Sequence, residues 1–160
     1  MRKFIAMFVG LLFVANTVLA NDNAKLVGTW KLVSLDIEFQ SGEPARPFLG
    51  QKWVGYTIFT ADGRTMSVWE AEGRKPPNSD EDRAALFRSM NAITGTYRYE
   101  AGMGTTEIDV AGNPAGKGKQ TRGYKLDGTR LEITTPWAPS PTIAGSPVTR
   151  SMIRFERVGQ

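Results

Sequence analysis

Apolar and polar side chains alternate along most of the chain beyond residue 25, in short runs that Gly, Asp and Pro interrupt. In the first run Val33, Leu35 and Ile37 alternate with Ser34 and Asp36. Alternation of this period is typical of a strand with one buried face. Runs of the same kind predict eight strands, at residues 26–39, 53–60, 65–71, 93–100, 105–110, 119–126, 130–135 and 148–158.

Two Asp-Gly pairs lie between neighbouring runs and indicate tight hairpins. Asp62-Gly63 separates the second and third predicted strands, and Asp127-Gly128 separates the sixth and seventh. Asp and Gly tolerate the positive φ angles that short hairpin turns require. The strands on either side of each pair are therefore predicted to be antiparallel neighbours.

One segment, residues 78–92, breaks the alternation and predicts a helix of about three turns. Ser79 is a suitable N-cap, and the acidic run 80–82 lies where the helix dipole favours negative charge. The apolar positions three and four residues apart are Leu86, Phe87 and Met90. The acidic run is therefore interpreted as a helix start in preference to a metal site.

A proline-rich segment, residues 134–147, joins the last two predicted strands. Its prolines exclude a central strand there, because proline cannot donate to a strand ladder. Loops of this length in compact domains are often functional or mobile.

Eight strands, several hairpins and one helix together predict an all-β protein. The favoured architecture is an eight-stranded antiparallel up-and-down barrel with one short helix after the third strand. The interior of such a barrel is either filled by side chains or holds one small ligand. A two-sheet sandwich is the alternative architecture.

The first twenty residues have the pattern of a secretory signal peptide, with Arg2 and Lys3 ahead of an apolar stretch. Val18 and Ala20 supply the small residues of a cleavage site, which leaves residues 21–160 as one barrel domain. The apolar stretch is shorter than the ~20 residues of a membrane span. We therefore expect a bacterial protein of the periplasm or the medium, with no integral membrane span.

The amino-acid composition limits the possible catalytic and metal-binding sites more than the net charge does. Loss of the leader leaves 18 basic against 16 acidic residues, a net charge of +2, which does not predict nucleic-acid binding. The chain has no cysteine and no histidine. Ser-His and Cys-His nucleophile pairs are therefore excluded, as are zinc or copper sites with nitrogen and sulfur ligands. No metal and no cofactor is predicted, and any catalysis would fall to carboxylates, Tyr, Lys or Arg.

A set of motifs occurs along the chain in a fixed order, beginning with Gly28-Thr29-Trp30 at the head of the first predicted strand. The others are YTIFTADGRTMSV, the Pro-Pro before the helix, ITGTYRYE, YKLDGTRLEITTP and the terminal RFERV. The ordered set resembles the bacterial and fungal lipocalin-like domain family of the lipocalin superfamily. The resemblance covers nearly all of residues 21–160.

The resemblance implies a barrel with a central cavity, closed at one end by a Trp beneath an Arg. Trp30 takes the first role, and Arg157 is favoured for the second, with Arg154 as the alternative. A cation over an indole face contributes about 0.5–2 kcal/mol. Members of the family often carry histidines near residues 106–108, where this chain has Thr-Glu-Ile, so chemistry that depends on them is absent.

Four tyrosines and one arginine are the candidate ligand-binding residues of that cavity. They are Tyr56, Tyr97, Tyr99, Tyr124 and Arg122. The tyrosines would form an amphipathic lining of rings with hydroxyl tips. Tyr56 lies on the more apolar face of the second predicted strand, and Arg122 shares a face with Tyr124 and Leu126. If Tyr124 and Leu126 point inward, Arg122 does too.

An inward Arg122 requires a partner, because burial removes the hydration of its charge. Glu107 on the neighbouring predicted strand is one candidate partner. Alternatively, Arg122 points outward into water. In the third alternative, Arg122 anchors an acidic or carbonyl group of a bound small molecule, since a guanidinium matches a carboxylate bidentately.

Three functions remain open, and the oligomeric state is left open with them. The favoured function is binding of a small, mostly hydrophobic molecule inside the barrel. The second is an isomerase-, cyclase- or hydratase-type enzyme on a hydrophobic substrate, with Glu107 as the weak candidate for a catalytic carboxylate. The third is a packed barrel that binds another envelope protein through the proline-rich segment and Trp137.

Overall fold

The structure is a computed structural model that describes residues 22–141 and 143–159. The predicted signal peptide, residues 1–20, lies outside the described residues. Along the described part the strands are β1 (Gly28–Phe39), β2 (Arg46–Pro47), β3 (Trp53–Phe59), β4 (Arg64–Ala71), β5 (Met90–Glu100), β6 (Met103–Ala111), β7 (Gly118–Asp127), β8 (Arg130–Thr134), β9 (Ala138–Pro139) and β10 (Val148–Arg157).

Eight of these strands form a closed antiparallel barrel. Their order around the wall is β1, β3, β4, β5, β6, β7, β8 and β10. The barrel closes where β10 pairs with β1, from Arg157 opposite Trp30 to Thr149 opposite Phe39. The two-residue strands β2 and β9 are additions that pair with β1 and β10. The predicted all-β, eight-stranded barrel is confirmed, and the sandwich is excluded.

Two α-helices in the described part of the chain accompany the barrel, α1 (Asn23–Leu26) and α2 (Asp80–Arg88). The Ser79 side chain caps α2 by accepting a hydrogen bond from the backbone N–H of Asp82. The prediction of a helix over residues 78–92 is correct in place and too long, because Met90 already belongs to β5. The predicted apolar face of α2 is not buried, and the Phe87 side chain is exposed. The short helix α1 was not predicted.

The two predicted hairpins join β3 to β4 and β7 to β8. The second turn consists of Gly128 and Thr129 alone, and Gly128 has a φ of 55°, which a β-branched residue rarely adopts. The proline-rich segment forms no central strand. After Thr134, the last residue of β8, its ladder contact in the described part is β9, at the edge of β10.

Most of the buried apolar side chains of the described residues form a cluster inside the barrel. Trp30 and Leu26 are fully buried at one end, and Trp53 is buried near the other end, where its indole N–H donates to the carbonyl of Phe48. Between the ends, Trp69 extends from β4 across the lumen until its ring lies 5.6 Å from that of Phe155 on β10. Among the described residues no helix has the length and apolarity to cross a bilayer.

Candidate functional site

One end of the barrel is closed by Trp30, Leu26 and Arg157. The indole N–H of Trp30 donates to the carbonyl of Leu26 at 2.8 Å, which fixes α1 across the opening. The guanidinium carbon of Arg157 lies 4.1 Å from the centre of the Trp30 ring. The two terminal nitrogens of Arg157 donate to the carbonyls of Val27 and Lys25, each at 2.5 Å. The Trp30 indole and the Arg157 guanidinium, each bonded to backbone carbonyls of the preceding segment, therefore close this end of the barrel.

Gly28 is required for that seal by two separate features. Its φ of +136° lies in the region that L side chains rarely adopt. A Cβ at this position would also lie 2.9 Å from the Arg157 guanidinium. The Gly of the Gly-x-Trp motif thus makes room for the arginine that covers Trp30. The alternative candidate, Arg154, points outward and pairs with Asp36 and Glu132.

Three of the four candidate tyrosines lie inside the barrel, next to the sealed end. Tyr97, Tyr99 and Tyr124 are all buried. The Tyr97 ring packs edge-on against Phe59 at 4.8 Å, and the Tyr99 ring lies 5.8 Å from that of Tyr124. The Tyr97 hydroxyl donates to the carbonyl of Thr60 at 3.0 Å, and burial raises the pKa of Tyr97. The tyrosines therefore form one aromatic layer of the lumen.

Tyr124 lies flat against the neighbouring strand β6. A Cβ at Gly104 would overlap the Tyr124 ring, so the absence of a side chain at Gly104 creates the space that the ring fills. The hydroxyl of Tyr124 reaches the Thr106 side chain, which accepts or donates one hydrogen bond there. Burial raises the pKa of Tyr124, and the nearby charge of Arg122 partly opposes that rise.

Arg122 lies on the inner wall beside Tyr124, one layer further from Trp30. Its terminal nitrogen donates to the side-chain carbonyl of Gln120, whose amide nitrogen donates in turn to the carbonyl of Gly116 at 2.9 Å. No carboxylate of the described residues forms an ion pair with Arg122. Burial lowers the pKa of Arg122, because the charged form has lost part of its hydration. The side chain keeps part of its surface exposed.

Glu107 does not point into the barrel. In the ladder between β6 and β7 it stands opposite Lys119, and both side chains are exposed on the outer wall. Its neighbours Thr106 and Ile108 are the inward, buried positions of β6. The alternative in which Arg122 pairs with Glu107 is therefore wrong, since a one-residue step along a strand moves a side chain to the other face. Glu107 also cannot act on a molecule inside the lumen.

Tyr56 also lies outside the barrel. Its side chain is 50% exposed, and the inward positions of β3 are Trp53, Gly55, Thr57 and Phe59. The expectation that the more apolar face of this strand points inward is wrong. The buried face contains a hydroxyl at Thr57 because a polar partner stands opposite it: the Thr57 and Ser67 hydroxyls lie 2.9 Å apart.

Several polar residues of the lumen were not predicted from the sequence. The Thr57 hydroxyl also accepts a hydrogen bond from the indole N–H of Trp69, at 3.1 Å. Asn91 stands opposite Trp69 on the inner wall, and its amide nitrogen is buried with no hydrogen-bond partner within the described residues. Gln120 could have been found, because it lies two residues before Arg122 on the same face.

The proline-rich segment is fixed to the outside of β10. The guanidinium carbon of Arg150 lies 4.6 Å from the centre of the Trp137 ring. Arg150 also donates to the carboxylate of Glu38 at 2.5 Å. Trp137 thus remains 39% exposed under a cation that is itself paired. Within the described part of the chain, no cluster of three acidic residues is close enough to hold a metal ion.

Comparison with known proteins identifies a family for this chain. A family model described as a lipocalin-like domain matches residues 27–158. The match runs from the residue before β1 to the residue after β10, so it covers the whole barrel. No curated protein gives a significant match to the chain.

Proposed function

This chain belongs to the lipocalin-like domain family, and on that premise we propose that it is an exported barrel that binds a small, mostly hydrophobic molecule in its lumen. The molecule carries a carboxylate or carbonyl group, which Arg122 holds. One observation carries the proposal: an inner-wall guanidinium whose hydrogen-bond partner is the neutral amide of Gln120.

The electrostatic environment of Arg122 favours an anionic group in the guest molecule. A partly dehydrated cation without a counter-ion is costly, and a bound carboxylate would compensate that cost with charge-assisted hydrogen bonds. Pairing with Glu107 conflicts with the outer position of Glu107, and an outward orientation conflicts with the place of Arg122 on the inner wall beside Tyr124. Gln120 would act as a positioning residue, since it orients the guanidinium through its own hydrogen bond to Gly116.

The remaining lining supports an apolar body for the guest molecule. The layer next to Arg122 contains Tyr99 and Tyr124, and the adjoining strands β8 and β10 contribute Ile133 and Ile153, all buried. Sites for small molecules commonly combine such apolar walls with a few placed polar groups. The buried amide nitrogen of Asn91 offers a further donor that has no acceptor within the described residues.

Binding is tested by comparing octanoate with 1-octanol, which shares its chain and lacks its charge. We expect calorimetric titration to show tighter binding of octanoate to the wild-type protein. Arg122→Met should remove at least about a tenfold preference for the acid, because the counter-ion is lost. Arg98→Met is the matched control, since Arg98 is exposed on the outer wall. Equal affinity for acid and alcohol in the wild-type protein would contradict the proposal.

Export to the periplasm or the medium is part of the same proposal. It rests on the leader pattern of residues 1–20 and on the position of the predicted cleavage site. The described residues just after that site contact the barrel: the Asn23 side chain accepts from the N–H of Tyr99 at 2.6 Å. Expression in a bacterial host should yield an exported chain that begins at Asn21. Recovery of the uncleaved chain from the cytoplasm would contradict export.

A further inference from the structure

The outer wall of the barrel carries a contiguous apolar surface on β3 and β4. The outer apolar face, as we call it, consists of Val54, Tyr56, Ile58, Met66 and Val68. Tyr56 stands directly opposite Val68 in the ladder, and Ile58 opposite Met66. Met66 is 51% exposed and Tyr56 50% exposed. Cross-strand neighbours of this kind touch, so the exposed side chains form one patch and not scattered residues.

This patch is concave and has one charge of each sign at its border. The depression has a volume of about 590 Å³ and is bordered by Lys31 and Glu70. Lys31 lies on β1, opposite Tyr56, whereas Glu70 lies on β4, opposite Val54. The two charges therefore stand on opposite sides of the apolar centre. Contiguous apolar patches rimmed by polar groups are typical of interaction sites.

The barrel's closure limits how a partner can attach here. β3 is paired with β4 from Trp53 to Phe59 and with β1 from Tyr56 to Phe59, so only the first three residues of β3 lack a partner on one side, and this edge is short for an added strand. Contact must therefore be made face to face, as in the packing of two sheets about 10 Å apart. A second apolar sheet surface, whose exposed side chains can enter the depression, fits this geometry.

We propose that the outer apolar face is the interface of a homodimer, with a second copy of this chain as its occupant. The outer apolar face is complementary in charge to a second copy of the same face. A two-fold axis through the centre of the face can bring Lys31 of each copy against Glu70 of the other, because the two residues flank the patch on opposite sides. Each copy then buries the apolar centre and forms two ion pairs with its partner.

The same charges disfavour other occupants. One lysine and one glutamate leave the face without net charge, whereas an anionic lipid surface or a nucleic acid selects clusters of basic residues. Glu70 is already paired with Arg74 of its own chain, and half of its side chain remains exposed. Glu156 stands opposite Lys31 in the ladder between β1 and β10, but Lys31 forms no ion pair with any of the described residues, so its charge is available to a partner.

The first test is sedimentation equilibrium of the exported protein over a wide concentration range. We expect a wild-type mass of twice the chain at high concentration. Met66→Glu should weaken dimerisation at least about tenfold, because it places a charge in the buried centre. Met103→Glu is the matched control: Met103 is 48% exposed but lies on β6, away from this face. A monomeric wild-type protein, or equal effects of the two variants, would overturn the proposal.

The second test exchanges the charges and separates this geometry from non-specific association. Lys31→Glu alone should weaken the homodimer, because the introduced carboxylate would face Glu70 of the other copy. Glu70→Lys alone should weaken it in the same way, and thermal melting of each variant verifies that the fold persists. An equimolar mixture of the two variants restores opposite charges across the interface, so it should dimerise more tightly than either variant alone. A mixture that remains monomeric overturns the proposed pairing.

Discussion

The guanidinium of Arg157 covers the Trp30 ring at 4.1 Å, and the same guanidinium donates to the carbonyls of Val27 and Lys25. One side chain from the last strand therefore fixes the first strand and the segment before it. The cation–π contact contributes about 0.5–2 kcal/mol, and hydrogen bonds from a charged donor contribute further. The closed end is held by residues that are far apart in sequence, so it forms only when the barrel is complete.

Arg157→Ala should lower the free energy of unfolding by about 2 kcal/mol, because both the ring contact and the two carbonyl contacts are lost. Urea denaturation followed by tryptophan fluorescence measures this change. Arg98→Ala is the control, since Arg98 is exposed and should change stability by less than about 0.5 kcal/mol. Equal effects of the two substitutions would contradict the structural role of Arg157.

Gly104→Ala should destabilise the fold by about 1–3 kcal/mol, because the new methyl group overlaps the Tyr124 ring in a packed core. Near-ultraviolet circular dichroism should also change, since Tyr124 must move away from its neighbours. Gly112→Ala serves for comparison, because a Cβ there meets only ordinary contacts. If the two alanine variants are equally stable, Tyr124 does not lie against β6 as described.

Arg122→Met should leave the free energy of unfolding of the ligand-free protein unchanged or raise it by about 1 kcal/mol. The reason is that a partly buried charge without a counter-ion is replaced by an apolar side chain of similar length. The same substitution should remove the preference for octanoate over octanol. A loss of more than about 2 kcal/mol would mean that Arg122 supports the fold through a compensated pair, and would contradict its role as a binding residue.

Alkaline pH should destabilise the protein through its buried tyrosines. The pKa values of Tyr97 and Tyr124 lie above the ordinary value of 10.0 in the folded state. The stabilisation of the folded state by these two protonated tyrosines is therefore complete below pH 10, and it is lost as the pH rises through their folded-state pKa values. Between the unfolded-state and folded-state pKa values, only the unfolded chain releases these protons. The expected loss is up to about 1.4 kcal/mol per pH unit for each tyrosine.

The measurement for this prediction is the unfolding free energy at a series of pH values above about 9. Tyr124→Phe should flatten the decline relative to the wild type, whereas Tyr56→Phe should not, because Tyr56 is exposed on the outer wall. Parallel curves for the wild type and Tyr124→Phe would contradict the burial of the Tyr124 hydroxyl.

Strand positions were predictable from the sequence, but the direction in which each face points was less so. Alternation separates the two faces of β3 correctly, and apolarity then selects the wrong one. The inner face is anchored by Trp53 and Phe59 at its ends, while Thr57 is accommodated through its partner Ser67. The more apolar face remains outside. A single strand does not contain the information about which polar groups will find partners across the sheet.

Features of the candidate site that depend on a single strand were predictable from the sequence. Features that depend on the register between two strands were not. The shared face of Arg122 and Tyr124 follows from their spacing alone. The pairing of Arg122 with Glu107 required the register between β6 and β7, which sets Glu107 opposite Lys119 and Arg122 opposite Gly104. The space above Gly104 that Tyr124 fills is likewise a property of two strands together.

The central claim is that Arg122 holds a carboxylate inside the barrel, and the pKa of a bound carboxyl group tests it most directly. Octanoate labelled with ¹³C at its carboxyl carbon can be titrated by NMR while bound. In the wild-type protein its pKa should lie below that of free octanoate, because the guanidinium stabilises the charged form. In Arg122→Met it should lie above the free value, because burial then acts alone. A bound carboxyl group with the same pKa as free octanoate in both proteins, or no bound signal in the wild type, would contradict the claim.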